Sequence, residues 1–137
     1  MSDDLRKILG RVPLFAACTA SDLRLLARHV TLVEVAEGTE FIRKGEEADA
    51  VYVVLRGRAE VISDERRLDV IGPGDHVGEL ALLDPAPRDA TVRALEPVVV
   101  GVLPAAPFRA LVRETDGLAE RLLAALARRL RAADLAR

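Results

Sequence analysis

A carboxylate and an arginine bracket the stretch GELALLDPAPRDATV, Gly78 to Val92. Glu79 follows a glycine, an apolar run of Leu80, Ala81, Leu82 and Leu83 comes next, and two prolines lead to Arg88, just ahead of the strand-like Ala90-Thr91-Val92. An ionised glutamate only accepts hydrogen bonds, which suits a pair of sugar hydroxyls. Arginine presents a planar, permanently charged fork that matches phosphate oxygens. A short helix opening near Gly78 would aim its free backbone N–H groups at the same place, where the helix dipole favours negative charge. The chemistry is that of an anion cradle, and a ligand with a phosphate and a free ribose hydroxyl satisfies both ends. In isolation, a glutamate and an arginine in this order are more often a structural or solvated ion pair.

The elements that must hold this cradle fall into three blocks. The first, DDLRKILGRVPLFAACTASDLRLLARHV, has helical spacing in Leu5, Ile8 and Leu9 until Pro13 interrupts it. A second helix starts near Thr19 to Asp22, whose polar side chains cap a first turn, and Leu23, Leu26 and Ala27 give it an apolar face. The middle block alternates short apolar runs, TLVEV, TEFIRK, AVYVVL, RAEVIS, RLDVI, ATVRAL and VVVGVL, with turn signals such as Lys44-Gly45-Glu46 and Gly72-Pro73-Gly74-Asp75. That rhythm predicts an all-β sandwich or barrel. VYVVL is apolar on both faces and belongs in the core. The third block is helical again, first from Pro104 to Arg113 with Phe108, Leu111 and Val112 on one stripe. A last helix follows, with Asp116 as a candidate cap. In it Leu118, Leu122, Leu126 and Leu130 form one row, and Ala119, Leu123, Leu126, Leu130 and Ala133 form a heptad-like seam.

Composition limits the rest. The 137 residues fit one domain, 1–137, with half of them apolar. A net charge of −2 gives no global basic field of the kind nucleic-acid binders carry. The single cysteine, Cys18, excludes an internal disulfide, and two histidines add too few ligands for a Cys/His zinc cluster. Cys18 reads as a small apolar residue. His29 ends a helical segment and His76 precedes a strand, and both read as structural. GPGDHVG lacks the strand–glycine–helix context of a dinucleotide loop and reads as turns. No signal-peptide core and no apolar run of membrane-spanning length is present, so a soluble cytoplasmic protein is the expectation, with no metal and no membrane partner.

With these residues in place, VGELALL and PRDATV resemble the phosphate-binding cassette of the cyclic nucleotide-binding domain family, which includes regulatory subunits of cyclic AMP-dependent kinase, catabolite-activator-type regulators and cyclic nucleotide-gated channels. VPLFAACTASDLRLLARHV is similar to the family's helical lead-in, EGTEFIRKGEEADAVYVVLRGRAEV to its first hairpins, and IGPGDHVGE to the approach to the cassette. The resemblance implies an α+β fold: an eight-stranded antiparallel β jelly roll with N-terminal helices, a short phosphate-binding helix and C-terminal lid helices. It implies that Arg88 pairs with the exocyclic phosphate oxygens and that Glu79 accepts from the ribose 2′-hydroxyl. Backbone amides near Gly78, Leu80 and Ala81, and that of Asp89, complete the cradle, and Ala90 and Thr91 close the motif. The ligand would be cyclic AMP, with cyclic GMP as the alternative. Arg128, Leu130 and Arg131 are candidates for lid contacts. Asp89 departs from the pattern, which has a small or hydroxyl residue there. Its carboxylate could face solvent, compete for Arg88, or accept from a guanine amino group.

No Ser/His/Asp set and no helical His-Glu-x-x-His occurs, so an enzyme is not expected. The leading expectation is a sensing module whose C-terminal helices move on binding. One alternative is a scaffold that kept the fold, lost the ligand and serves protein–protein contact. Another is the sensor portion of a catabolite-activator-type regulator. Its helix-turn-helix reader would have to follow Arg137, so direct DNA binding by these residues is not expected. The sensor would act through an unidentified effector protein or through a homodimer formed by the last helix. The Arg128-Arg129-Arg131 cluster at that helix's C-terminus is what the helix dipole favours.

Overall fold

The computed structural model describes residues 2–16, 18–78 and 86–135. The chain opens with α1 (Ser2–Gly10), a 3-10 turn at Pro13–Phe15 and α2 (Ala20–His29). Thr19 and Asp22 form a reciprocal capping box at the start of α2: the Thr19 hydroxyl accepts from the Asp22 N–H at 3.1 Å and the Asp22 carboxylate accepts from the Thr19 N–H at 2.9 Å. Strands β1 (Thr31–Val35), β2 (Glu40–Ile42), β3 (Ala50–Arg56), β4 (Ala59–Ser63), β5 (Arg66–Ile71), β6 (His76–Val77), β7 (Thr91–Ala94) and β8 (Val98–Pro104) follow. Helices α3 (Ala105–Glu114) and α4 (Leu118–Leu135) end the described chain.

The strands form two antiparallel four-stranded sheets, ordered β1-β8-β3-β6 and β2-β7-β4-β5. Side chains alternate across a strand, so β3 and β8 can serve two layers at once. Val54 of β3 and Val98 and Val100 of β8 are buried between the sheets with Ile42, Ala59, Ile71, Val92 and Ala94. Val51 and Val53, with Leu103, face the other way and pack under Leu9, Phe15, Leu26, Phe108, Leu118 and Leu122 of the helices. Burial on both faces is why the VYVVL run lacks the polar alternation of a surface strand.

Three details differ from the sequence expectation. His76 does not precede a strand; it is the first residue of β6 and pairs with Val53. Asp116 does not cap α4, because Gly117, at φ +82°, stands between it and the first helical residue, Leu118. The leucine row of α4 is only half used: Leu118 and Leu122 are buried, Leu126 is partly so, and Leu130 is 67% exposed. The short phosphate-binding helix was expected on Gly78 to Leu83, and all but Gly78 of that span lies outside the described residues.

Candidate functional site

Among the described residues Arg88 is one of four buried polar or charged ones, with 6% of its surface exposed. Its backbone is fixed on both sides, its N–H donating to the Glu46 carbonyl at 2.9 Å and its carbonyl accepting from the Gly45 N–H at 2.8 Å. The guanidinium then reaches across to sheet β1-β8-β3-β6. Nη2 donates to the Ala50 carbonyl at 2.6 Å and Nη1 to the Gly78 carbonyl at 2.7 Å. The pairing of β3 with β6, Tyr52 with Val77 and Val53 with His76, brings these two carbonyls to the same place, at the start of one strand and just past the end of the other. Gly78 has φ +93°, and a Cβ there would lie 2.5 Å from Arg88 Nη1.

Burying a full positive charge is costly unless it is paired. Among the described residues the hydrogen-bond partners of Arg88 are two carbonyl oxygens, which accept from it and carry no formal charge. A guanidinium has five N–H donors in a fixed fork, and two carbonyls engage only part of it. A cation pre-aimed in this way is what a phosphate oxygen pair completes.

One aromatic wall flanks the cation. The Tyr52 ring lies with its centroid 5.8 Å from Arg88 Cζ, and Phe41 packs tilted on Tyr52 with ring centroids 5.7 Å apart. Burial first, then the Asp49 charge, pushes the Tyr52 phenol above its ordinary range, while Arg88 pulls it the other way. Tyr52, Ala50 and the Gly78 carbonyl were not read from the sequence as partners of Arg88. The available signal was a lone tyrosine in an aliphatic strand, the only one in the chain.

The other residues read from the sequence are placed as follows. Glu79, Leu80 and Ala81 lie outside the described residues. Asp89 is exposed, and among the described residues it neither pairs with Arg88 nor finds another partner. Ala90 is half-buried. The Thr91 hydroxyl accepts from the Lys44 N–H at 3.0 Å, which ties β7 to the end of β2. Arg128, Leu130 and Arg131 are exposed on α4. The Cys18 thiol is pushed up to about 11 by burial and by Asp22, so it stays protonated and inert as a nucleophile.

A second polar region covers the outer face of sheet β2-β7-β4-β5. Glu60 is 7% exposed and accepts from Arg67 Nε at 3.1 Å and from Arg93 Nη2 at 2.9 Å. These residues line a shallow cavity of about 350 Å³ with Lys44, Asp64 and Thr91. Lys44 Nζ donates to Asp64 and Ser63, each at 3.0 Å. Anions and cations neutralise one another there, and the network reads as a brace of the sheet. Among the described residues no group of three or more metal-ligating side chains converges, and no helix is long and apolar enough to cross a membrane.

Comparison with known proteins gives a consistent result. The profile of the cyclic nucleotide-binding domain matches residues 32–115. A CRP-like cAMP-activated global transcriptional regulator of Mycobacterium tuberculosis is 28% identical over 130 residues, covering 91% of this chain and 58% of its own. The solved catabolite activator protein of Thermus thermophilus superimposes with a TM-score of 0.78 at 32% identity, over 90% of this chain and 60% of its own. The regulatory subunit of a cAMP-independent protein kinase A from Trypanosoma brucei superimposes with a TM-score of 0.80 at 26% identity, over 88% of this chain and 46% of its own. The chain thus spans less than two thirds of the length of each of these relatives.

Proposed function

Because this chain belongs to the cyclic nucleotide-binding domain family, we propose that it is a ligand-sensing module for a cyclic nucleotide, cyclic AMP first and cyclic GMP as the alternative. The observation that carries this reading is Arg88: a buried cation held by two carbonyls and no carboxylate among the described residues. The cyclic phosphate supplies the missing negative charge. Glu79 accepts from the ribose hydroxyl, and the backbone amides around Gly78, Leu80, Ala81 and Asp89 complete the cradle. Ala90 and Thr91 close the cradle, and the Thr91 hydroxyl also accepts from the Lys44 N–H.

The strand orders β1-β8-β3-β6 and β2-β7-β4-β5 support reading the sandwich as an eight-stranded jelly roll, with 1–137 as one binding domain. Its output is movement of α3 and α4, the latter acting as a lid. The signal passes to an effector protein or to a second copy through α4. Cytoplasmic placement and the lack of direct DNA contact by these residues belong to the same reading, the latter supported by the net charge of −2. A second reading, a fold kept as an interaction scaffold, is favoured by the carboxylate of Asp89 beside Arg88.

Calorimetry with cyclic AMP and cyclic GMP, paired with melting curves, separates the two. Ligand at 100 times its Kd adds about 2.7 kcal/mol of stability, or roughly 10 °C for a domain of this size. Arg88→Ala should abolish most of the heat and the shift, since it strands the phosphate without its counter-charge. Absence of both signals for the wild type at millimolar nucleotide would remove the sensor reading and leave the scaffold.

A further inference from the structure

Arg88 is enclosed on three sides, and only two of these are hydrogen bonds. The Ala50 and Gly78 carbonyls take Nη2 and Nη1 in the plane of the guanidinium. The third side is the Tyr52 ring, 5.8 Å from Cζ, within the range where a ring quadrupole attracts a cation. Ala50 and Tyr52 are two residues apart on β3. The β3–β6 register sets Tyr52 opposite Val77, the residue before Gly78. One strand therefore supplies a carbonyl and the ring, and its partner strand leads into the second carbonyl. Phe41 comes from β2, in the opposite sheet, and packs tilted on Tyr52 with ring centroids 5.7 Å apart. Tyr52 also pairs with Val102 of β8, so its backbone is held from both neighbouring strands. The ring is thus held at its backbone and against a second ring.

We infer that Tyr52 is a positioning residue for the anion site, its ring face holding the Arg88 guanidinium in the orientation that receives phosphate. The inference deepens the cyclic-nucleotide reading and rests on it for the ligand. The Tyr52–Arg88 coupling itself can be read without any ligand. A π face suits this task better than a carboxylate, because it attracts the cation without cancelling the charge the ligand needs. An aliphatic side chain would fill the space and leave that face of Arg88 unattracted.

The chain has one tyrosine and no tryptophan, so its tyrosine emission and its absorbance near 295 nm report on Tyr52 alone. Two measurements on the full chain decide the matter. In the first, cyclic AMP is titrated into wild type, Tyr52→Phe and Tyr52→Leu, with calorimetry and tyrosine emission followed together. Wild-type emission should change with the same Kd as the heat. Tyr52→Phe, which keeps the ring, should bind within about twofold of wild type, and Tyr52→Leu about tenfold more weakly, the range a partly desolvated cation–π contact allows. Equal losses for Phe and Leu, or unchanged binding by Leu, would overturn the inference. In the second, the phenol is titrated spectrophotometrically in the ligand-free wild type and Arg88→Met. Arg88 lowers this ionisation while Asp49 and Glu46 raise it, so removing Arg88 should move the midpoint upward. No movement means no coupling and also overturns the inference. If the wild type takes up no cyclic nucleotide, the ligand reading fails on the first measurement and the second still decides for or against Tyr52.

Discussion

Arg88 Nη1 donates to the Gly78 carbonyl at 2.7 Å, and the same nitrogen stands 2.5 Å from where a Cβ on residue 78 would be. Position 78 therefore needs glycine twice over: for its φ of +93°, which L-residues avoid at a cost of roughly 1–2 kcal/mol, and for the space the guanidinium fills. Gly78→Ala should lower the melting temperature by about 5 °C or more and weaken cyclic nucleotide binding more than tenfold, because Arg88 must leave its carbonyls. Differential scanning fluorimetry and calorimetry read the two effects. A variant that loses stability but binds like wild type would show that Arg88 can serve the ligand from another position.

Glu60 gives a pH signature. Hydrogen bonds from Arg93 hold its carboxyl below the usual carboxylate range, opposed by burial and reinforced by Arg67. A carboxylate whose folded value is depressed contributes stability that is complete above its unfolded value, about 4.3. That contribution is lost as pH falls through the lower folded value. Glu60→Gln should therefore be less stable than wild type at pH 7, with the gap closing as pH drops below about 4. Chemical denaturation at pH 7, 5 and 3.5 tests this. A gap independent of pH would assign the loss to packing alone.

Leu123 and Leu130 lie one heptad apart on α4 and are 65% and 67% exposed. They continue the seam beyond the point where Leu118 and Leu122 reach the core. If a second copy covers them, light scattering coupled to size exclusion should find dimer at about 100 μM protein. The Leu123→Glu, Leu130→Glu double variant should be monomeric. A wild type that stays monomeric at that concentration would point to a different partner for this face.

The legible part of this protein was the part whose pattern is local. The cap at Thr19–Asp22 spans four residues, and the structure forms it as a reciprocal box. The double-sided burial of β3 follows from its lack of polar alternation. Tyr52 was not legible as a site residue, because its role depends on Arg88, which the chain brings back only through β6, a strand of two residues too short to announce itself. Glu60 has no motif around it that marks it in the sequence. Its burial depends on Arg93 and Arg67, one from a neighbouring strand thirty-odd positions on and one across the β4–β5 hairpin. Thr91 closes the motif in the sequence; that its hydroxyl accepts from the Lys44 N–H depends on how β2 and β7 pair, which the sequence does not display.

Asp89 sits next to Arg88 in the chain but not in its company: the arginine is buried on its carbonyls and the carboxylate is exposed. Of the three roles open to this side chain, facing solvent is the one the structure displays. From there its effect on a bound phosphate is repulsion through water, about 1 kcal/mol at 4 Å and less with distance. Asp89→Ala and Asp89→Thr should then tighten cyclic AMP and cyclic GMP alike, by about two- to fivefold at low salt. The gain should fade toward 0.5 M salt, where the screening length drops to a few ångströms. If Asp89 turns inward to accept from the guanine amino group, removing it must weaken cyclic GMP while leaving cyclic AMP unchanged or tighter. Titrating both nucleotides against wild type and Asp89→Ala at two salt concentrations decides between them. A selective loss of cyclic GMP would make Asp89 a specificity determinant, and a uniform, salt-sensitive gain would leave it a bystander that costs affinity.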